Sequence, residues 1–115
     1  MTKIEDSKEP RNFETELIER DEVWYTKDND KPYSGKVFSL YEGGEKDEEG
    51  TFKDGKQDGK WTNWHENGQK KEEGIYKDGV QHGLFTGWYE NGQKEEERTY
   101  KDGKLDGLWT LWQEN

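Results

Sequence analysis

The sequence predicts an all-β fold: an antiparallel meander of β-hairpins with a 24-residue period, forming a single twisted sheet of about nine strands. Three observations carry this. Glycines recur at fixed spacing: Gly35, Gly59, Gly83 and Gly107; Gly44, Gly68 and Gly92; Gly55, Gly79 and Gly103. Aromatic residues keep the same period. Trp64, Trp88 and Trp112 form one column with Leu40, and Trp61, Phe85 and Trp109 another with Val37. Phe52, Tyr76 and Tyr100 form a third. Finally, each unit carries two dipeptides suited to tight turns, Asn-Gly or Gly-Gly at one end and Asp-Gly at the other.

Taken in order, residues 1–16 are acidic and poor in large apolar side chains, so a disordered segment is expected there, with any helix confined to this end. The array then runs over 35–115 as 35–58, 59–82, 83–106 and a partial 107–115. Within a unit, Asn67-Gly68 and Asn91-Gly92 are expected to form type I′ turns, since Asn and Gly tolerate positive φ. Asp54-Gly55, Asp78-Gly79 and Asp102-Gly103 begin the second turn, which reaches to Gly59, Gly83 and Gly107. Gly35 holds the same column at the start of the array.

A two-residue loop at Asn91-Gly92 fixes a register. Trp88 should face Glu95, Phe85 should face Arg98, and Gly83 should face Tyr100. One unit earlier Trp61 should face Gly74, and before that Val37 should face Gly50. A glycine opposite a large ring leaves bare backbone for the ring to cover. Alternation then places Trp61, Phe85, Trp109, Phe52, Tyr76, Tyr100, Tyr41 and Tyr89 on one face. Trp64, Trp88, Trp112, Leu84, Leu108, Thr62, Thr86 and Thr110 fall on the other.

Composition explains why such an array is needed. The 115 residues are 40% charged with a net charge of −10 and no cysteine. Leu, Ile, Val and Phe together number 16, too few for a conventional core and in the range of disordered chains. A transmembrane span and a disulfide scaffold are excluded. Six Trp and a 14% aromatic share resist disorder, because stacked rings can bury on the order of 150–250 Å² each.

The chemistry of sites is sparse. No Ser-His-Asp or Cys-His set can be assembled, and both histidines fall in repeat columns, His65 with Tyr41 and Tyr89, and His82 with Asp58 and Asp106. No catalytic, cofactor or metal site is expected. The Asp-Gly-Lys-x-Asp-Gly turns offer too few oxygens for calcium, and carry a Lys besides. The acidic balance argues against nucleic acid and anionic membranes and suits a basic protein partner. The candidate contact residues are Trp64, Trp88 and Trp112, with Lys71, Glu95 and, in the first copy, Asp47 across the strand; Trp beside carboxylates would suit a cation. The last strand, about Leu108–Gln113, is left as an edge, so weak self-association through it is expected. The first ten residues hold no apolar stretch, so no signal peptide is expected and the cytoplasm is favoured. Secretion or surface attachment is the alternative if a natural precursor is longer.

The unit Asn-Gly-Gln-Lys followed by Tyr-Lys-Asp-Gly-Lys-x-Asp-Gly-x-Trp-Thr-x-Trp resembles the bacterial variant of the MORN repeat, the version grouped with antitoxin components of toxin–antitoxin pairs. The likeness covers about 35–115. Upstream, Leu17 to Tyr25 and Asp30 to Gly35 resemble the family's lead-in, so 17–34 would be a hairpin turning at Asp21-Glu22, then a Lys-Pro loop. Gly87 and Arg98 depart from the neighbouring copies. The resemblance implies a non-enzymatic binding module that neutralises a toxin by contact. The alternative is a structural or surface module that binds lipid head groups, choline-like cations or glycans on its aromatic ladder. Salt discriminates, since acidic steering weakens with ionic strength and glycan stacking hardly responds.

Overall fold

The computed structural model describes residues 9–114. It is nearly all β, within extents of 54 × 34 × 24 Å. Strand β1 (Arg11–Asn12) leads into the one-turn helix α1 (Phe13–Glu16), and β2 (Leu17–Arg20) and β3 (Val23–Thr26) form a separate hairpin. The array follows as β4 (Gly35–Leu40), β5 (Lys46–Lys53), β6 (Lys56–Gln57), β7 (Gly59–Trp64), β8 (Lys70–Lys77), β9 (Val80–Trp88), β10 (Lys94–Lys101) and β11 (Lys104–Leu111). The main sheet runs β1-β4-β5-β7-β8-β9-β10-β11, with β6 beside β5. Every pairing in it is antiparallel except β1 with β4.

Mid-strand register follows the glycine columns. Val37 faces Gly50, Trp61 faces Gly74, Phe85 faces Arg98 and Gly83 faces Tyr100. At the hairpin tips it does not. Trp88 faces Lys94, not Glu95, and the irregularity falls between Lys94 and Glu96. Two local departures produce this. The loop has three residues: Gly92 N–H donates to Tyr89 O at 2.9 Å, and Tyr89 N–H donates to Gln93 O at 2.8 Å. Gly92 has φ +90 while Asn91 stays at negative φ, which is a type I turn closed by a left-handed glycine. Asn91 Oδ1 accepts from Gln93 N–H at 2.9 Å. A bulge at Glu95 then restores the register, and Lys71 and Asp47 hold the same place in the other hairpins.

The type I′ turns lie at the opposite ends of the strands. Asp54, Asp78 and Asp102 have φ of 51, 52 and 52, each followed by a glycine at φ 81 to 85, and Lys77 faces Val80 across the two-residue loop. Sequence reasoning had given that turn type to Asn-Gly. Both dipeptides tolerate positive φ, and only the number of residues between paired strands separates the two turns.

The core sits at the N-terminal end of the array. Phe13, Leu17, Tyr33, Val37, Phe52 and Trp61 are buried together, with Trp24 and Tyr76 packed against them. The Trp61 ring stacks on Phe52 at 5.5 Å and meets Phe13 at 5.8 Å. The expected disorder of 1–16 therefore fails for 11–16: Phe13 supplies a ring to the core, and Asn12 caps α1 by accepting from Glu14 N–H. Residues 1–8 lie outside the described residues. The 17–34 segment stands where a preceding unit would. Gly55 N–H donates to Tyr33 O at 2.7 Å, as Gly79 does to Gln57 O and Gly103 to Gln81 O one and two units on.

Candidate binding surface

The bulge organises the outer face of the sheet. Strand alternation sends residues i and i+3 to opposite faces, but one bulged residue between them returns both to the same face. Lys46, Lys70 and Lys94 thereby reach Glu49, Glu73 and Glu97 at 3.1, 3.1 and 2.7 Å. Each Lys also lies over the Trp of the following hairpin. Lys46 Nζ is 5.4 Å from the Trp64 ring centre, Lys70 Nζ 5.7 Å from Trp88, and Lys94 Nζ 5.8 Å from Trp112. The tips thus carry an alternating row of Trp and Lys. Beside it runs a row of Thr and Glu: Glu49 faces Thr62, Thr62 faces Glu73, Thr86 faces Glu97 and Glu97 faces Thr110.

The Glu73 carboxyl feels its surroundings in both directions. Partial burial pushes its pKa up, but hydrogen bonds from Lys70 and Thr62 and the charges of Lys70 and Lys60 outweigh this and hold it low. Thr62 Oγ1 donates to Glu73 at 3.0 Å. On the inner face the balance reverses. Trp61 Nε1–H donates to Glu48 at 3.0 Å, yet burial, with Asp47, Glu14 and Glu72 near, keeps the Glu48 pKa raised.

Three tip residues latch one hairpin to the next. Tyr41 O–H donates to Trp64 O, His65 Nε2 lies 2.9 Å from Trp88 O, and Tyr89 O–H donates to Trp112 O at 2.6 Å. A carbonyl only accepts, so the His65 hydrogen sits on Nε2. That gives His65 a structural task. His82 Nδ1 approaches Asp102 N–H at 3.5 Å, as Ser34 Oγ meets Asp54 N–H at 2.8 Å.

Where the inner-face glycine column reads Gly50, Gly74, Arg98, the arginine fills the place of bare backbone. Its guanidinium lies 4.6 Å from the Phe85 ring centre, 5.6 Å from Tyr100 and 5.1 Å from Trp109. Nη1 donates to Tyr100 Oη at 2.6 Å, and Nε makes a charge contact with Glu96 at 3.1 Å. Trp109 Nε1–H donates to the same Glu96. Gly87, the other departure, leaves Glu96 3.3 Å from where a Cβ would stand.

Of the candidate contact residues, the structure brings Trp88 and Glu95 together. Both line a recess of about 400 Å³ with His65, Lys71, Tyr89, Glu90 and Glu114. Trp64 and Trp112 lie one hairpin away on either side, and Asp47 and Glu95 are bulged residues that do not pair with a Trp. The expected Trp–carboxylate partnership is replaced by Trp–Lys, because the bulge moves the acid out of the cross-strand position. Sequence reasoning passed over Lys46, Lys70 and Lys94, although their 24-residue spacing was visible. Glu90 and Glu114 carried the same signal, in a column with Glu42 and Glu66 at 24-residue spacing, and folding brings Glu114 to Trp88 from the next hairpin. Among the described residues no cluster of His, Asp and Glu is arranged to hold a metal, and no helix is long and apolar enough to cross a membrane.

No curated protein and no solved structure matches the chain. Residues 57–78 and 81–102 each match the family model described as a MORN repeat variant. The two matches are offset by one period, and each runs from the start of one hairpin to the Asp of the next Asp-Gly turn. Repeats of this kind are in general modules that bind proteins or membranes, and in this chain that repeat variant is matched twice in succession.

Proposed function

We propose that the chain is a non-enzymatic protein-binding module of the antitoxin or immunity type, which blocks a basic partner by direct contact. The observation that carries this is the recess at Trp88. An indole wall with Glu90, Glu95 and Glu114 around it suits the ammonium or guanidinium of an inserted Lys or Arg. The net charge of −10 would steer such a partner. Lys71 also lines the recess and Lys70 lies over the Trp88 ring, so the three carboxylates would be the main hold on an inserted cation.

The test is a titration with an arginine-rich peptide, followed by the indole N–H resonance of Trp88. Binding that weakens with added salt, and weakens further in Trp88→Ala and Glu95→Gln, supports the reading. Binding unaffected by salt and by both substitutions overturns it. Co-purification with the product of an adjacent toxin-like reading frame would support the antitoxin role, and growth arrest by that product undiminished by this chain would refute it.

A further inference from the structure

We infer that the cleft between the lead-in hairpin and the Asp-Gly turns binds an aliphatic polyamine, a flexible chain with an ammonium group at each end. The hairpin β2–β3 is a sheet of its own, so it meets the array across a gap and not as one more pair of strands. Backbone bonds fix that junction. Trp24 N–H donates to Gly55 O at 2.9 Å, and Gly55 N–H donates to Tyr33 O at 2.7 Å. The hairpin turns at Asp21-Glu22, and a cleft of about 390 Å³ is lined by that turn and by the array turn at Asp78-Gly79. Small-molecule sites occupy clefts of about 300–1,000 Å³.

Acids and aromatic rings share the lining. Glu19, Asp21 and Glu22 enter it from the hairpin and Asp78 from the array, with Lys56 the one cation against these four carboxylates. Among the described residues none of the four has an ion pair or a side-chain hydrogen bond. Arg20, beside them in the chain, is already paired with Asp30 at 2.7 Å. Glu19 faces Trp24 across the hairpin, so the two share a face. The Trp24 ring in turn stacks on Phe52, with centroids 5.8 Å apart and 17° between planes, and both rings line the cleft.

The spread of the charges selects the ligand. The acids do not converge on a point, and among the described residues no cluster is arranged to hold a metal ion. They stand on two walls, the hairpin and the array turn. A compact ion cannot serve both walls and gains nothing from the rings. A lysine side chain brings one ammonium and serves one wall. A polymethylene chain lays its CH₂ groups on the rings, while ammonium groups at its two ends meet carboxylates on either side. The cleft shares no lining residue with the Trp88 recess, so this site and the partner reading can fail separately.

Titration of the full chain with spermidine, followed by calorimetry and by the indole N–H resonance of Trp24, decides it. A single equivalent should bind, and more tightly than butylamine or Mg²⁺ by about tenfold or more, since each of these lacks a second ammonium at a distance. Asp21→Asn and Asp78→Asn keep their turns, because Asn also tolerates positive φ. Each should weaken spermidine about tenfold, the loss of one charge-assisted contact. Asp102→Asn changes the same turn position one unit on, outside the cleft, and should leave binding unchanged, as should Trp88→Ala. Lys56→Met keeps the stem that packs against Gly79 and should tighten binding. Butylamine or Mg²⁺ binding as tightly as spermidine overturns the inference, and so do equal losses in Asp78→Asn and Asp102→Asn. A lysine-rich peptide that shifts the Trp24 resonance at lower concentration than spermidine overturns it too, by making the occupant a protein.

Discussion

Gly50→Ala tests how the first hairpins hold their core. A Cβ built on Gly50 would stand 2.1 Å from Cε3 of Trp61, with Cδ2 at 2.6 Å and Cζ3 at 2.7 Å. Ordinary carbon contacts lie near 3.5–4.0 Å, so the indole must retreat by more than an ångström. It has nowhere to go: Trp61 is 5% exposed, with Phe52 and Phe13 against it. Overpacking of this kind costs about 1–3 kcal/mol, and the severity of the overlap places Gly50→Ala at the upper end, about 2–3 kcal/mol. Gly50 is not at positive φ, so crowding is the only penalty, and the lower chain entropy of Ala returns only about 0.5 kcal/mol.

Gly74 is the internal control. It occupies the same column, but a Cβ there is crowded by Cδ2 of Phe85 alone, at 3.2 Å, with Gln81 and Tyr76 at the ordinary contact distances of 3.7 and 3.8 Å. A shift of a few tenths of an ångström relieves that contact, so Gly74→Ala should change stability by less than about 1 kcal/mol. At about 4 °C per kcal/mol for a domain of this size, Gly50→Ala should melt ~8–12 °C lower and Gly74→Ala within ~4 °C of wild type, followed by far-UV circular dichroism and urea titration. Gly50→Ala with Trp61→Phe copies the Gly74–Phe85 pair and should recover part of the loss, a coupling visible in a double-mutant cycle. Equal effects of the two alanines, or a double variant as unstable as the sum of its parts, would refute the account of rings covering bare backbone.

Other outcomes follow from the turns, the carboxylates and the tip latches. Asp78 holds φ 52 at the first position of a type I′ turn; Asp78→Ala should cost about 1 kcal/mol and Asp78→Gly almost nothing, read by urea denaturation. The Glu73 pKa is lowered in the folded chain, so its contribution is full above the unfolded value of about 4.3 and is lost as pH falls through the lower folded value. Glu73→Gln should therefore lose less melting temperature than wild type in that acid window. Glu48 has the opposite sign: its pKa is raised, so it takes up its proton first as pH falls, and that step favours the folded state. Glu48→Gln, which still accepts from Trp61, should be more stable than wild type at neutral pH and converge with it in acid. His65→Tyr restores the residue found at Tyr41 and Tyr89 and should keep the melting temperature, whereas His65→Ala should lower it by the loss of one hydrogen bond, about 1 kcal/mol.

The period, the strand count and the mid-strand register were all legible, because each depends on spacing that recurs in every copy. The N-terminal end was less so. Phe13 and Leu17 stand one period before Val37 and Tyr41, but the glycines that mark the later units are missing around them, so a segment of acids around one ring reads as disorder until the aromatic face it covers is known. Phe52 and Trp61 need a lid, and the residues that supply it lie where the glycine columns have stopped. Arg98 was visible as a departure, but its three aromatic neighbours converge only once the inner face has formed.

The tip of the hairpin shows why a correct register can rest on an incorrect turn. A two-residue loop at Asn91-Gly92 places Phe85 opposite Arg98, and so does a three-residue loop followed by a one-residue bulge. The extra loop residue shifts the pairing by one, and the bulge shifts it back. Between the two, only the tip residues Trp88 to Glu90 and Gln93 to Glu95 change partners, and the binding surface depends on Trp88, Lys94 and Glu95 among them. With no bulge, Trp88 would face an acid, and Lys94 would point away from both Trp112 and Glu97. With it, Lys94 lies over Trp112 and pairs with Glu97, and Glu95 is released to join Trp88, Glu90 and Glu114 around the recess. A single inserted residue per hairpin thus decides which charge meets the indole, and because every copy carries it, the repeat itself gives no contrast by which to see it.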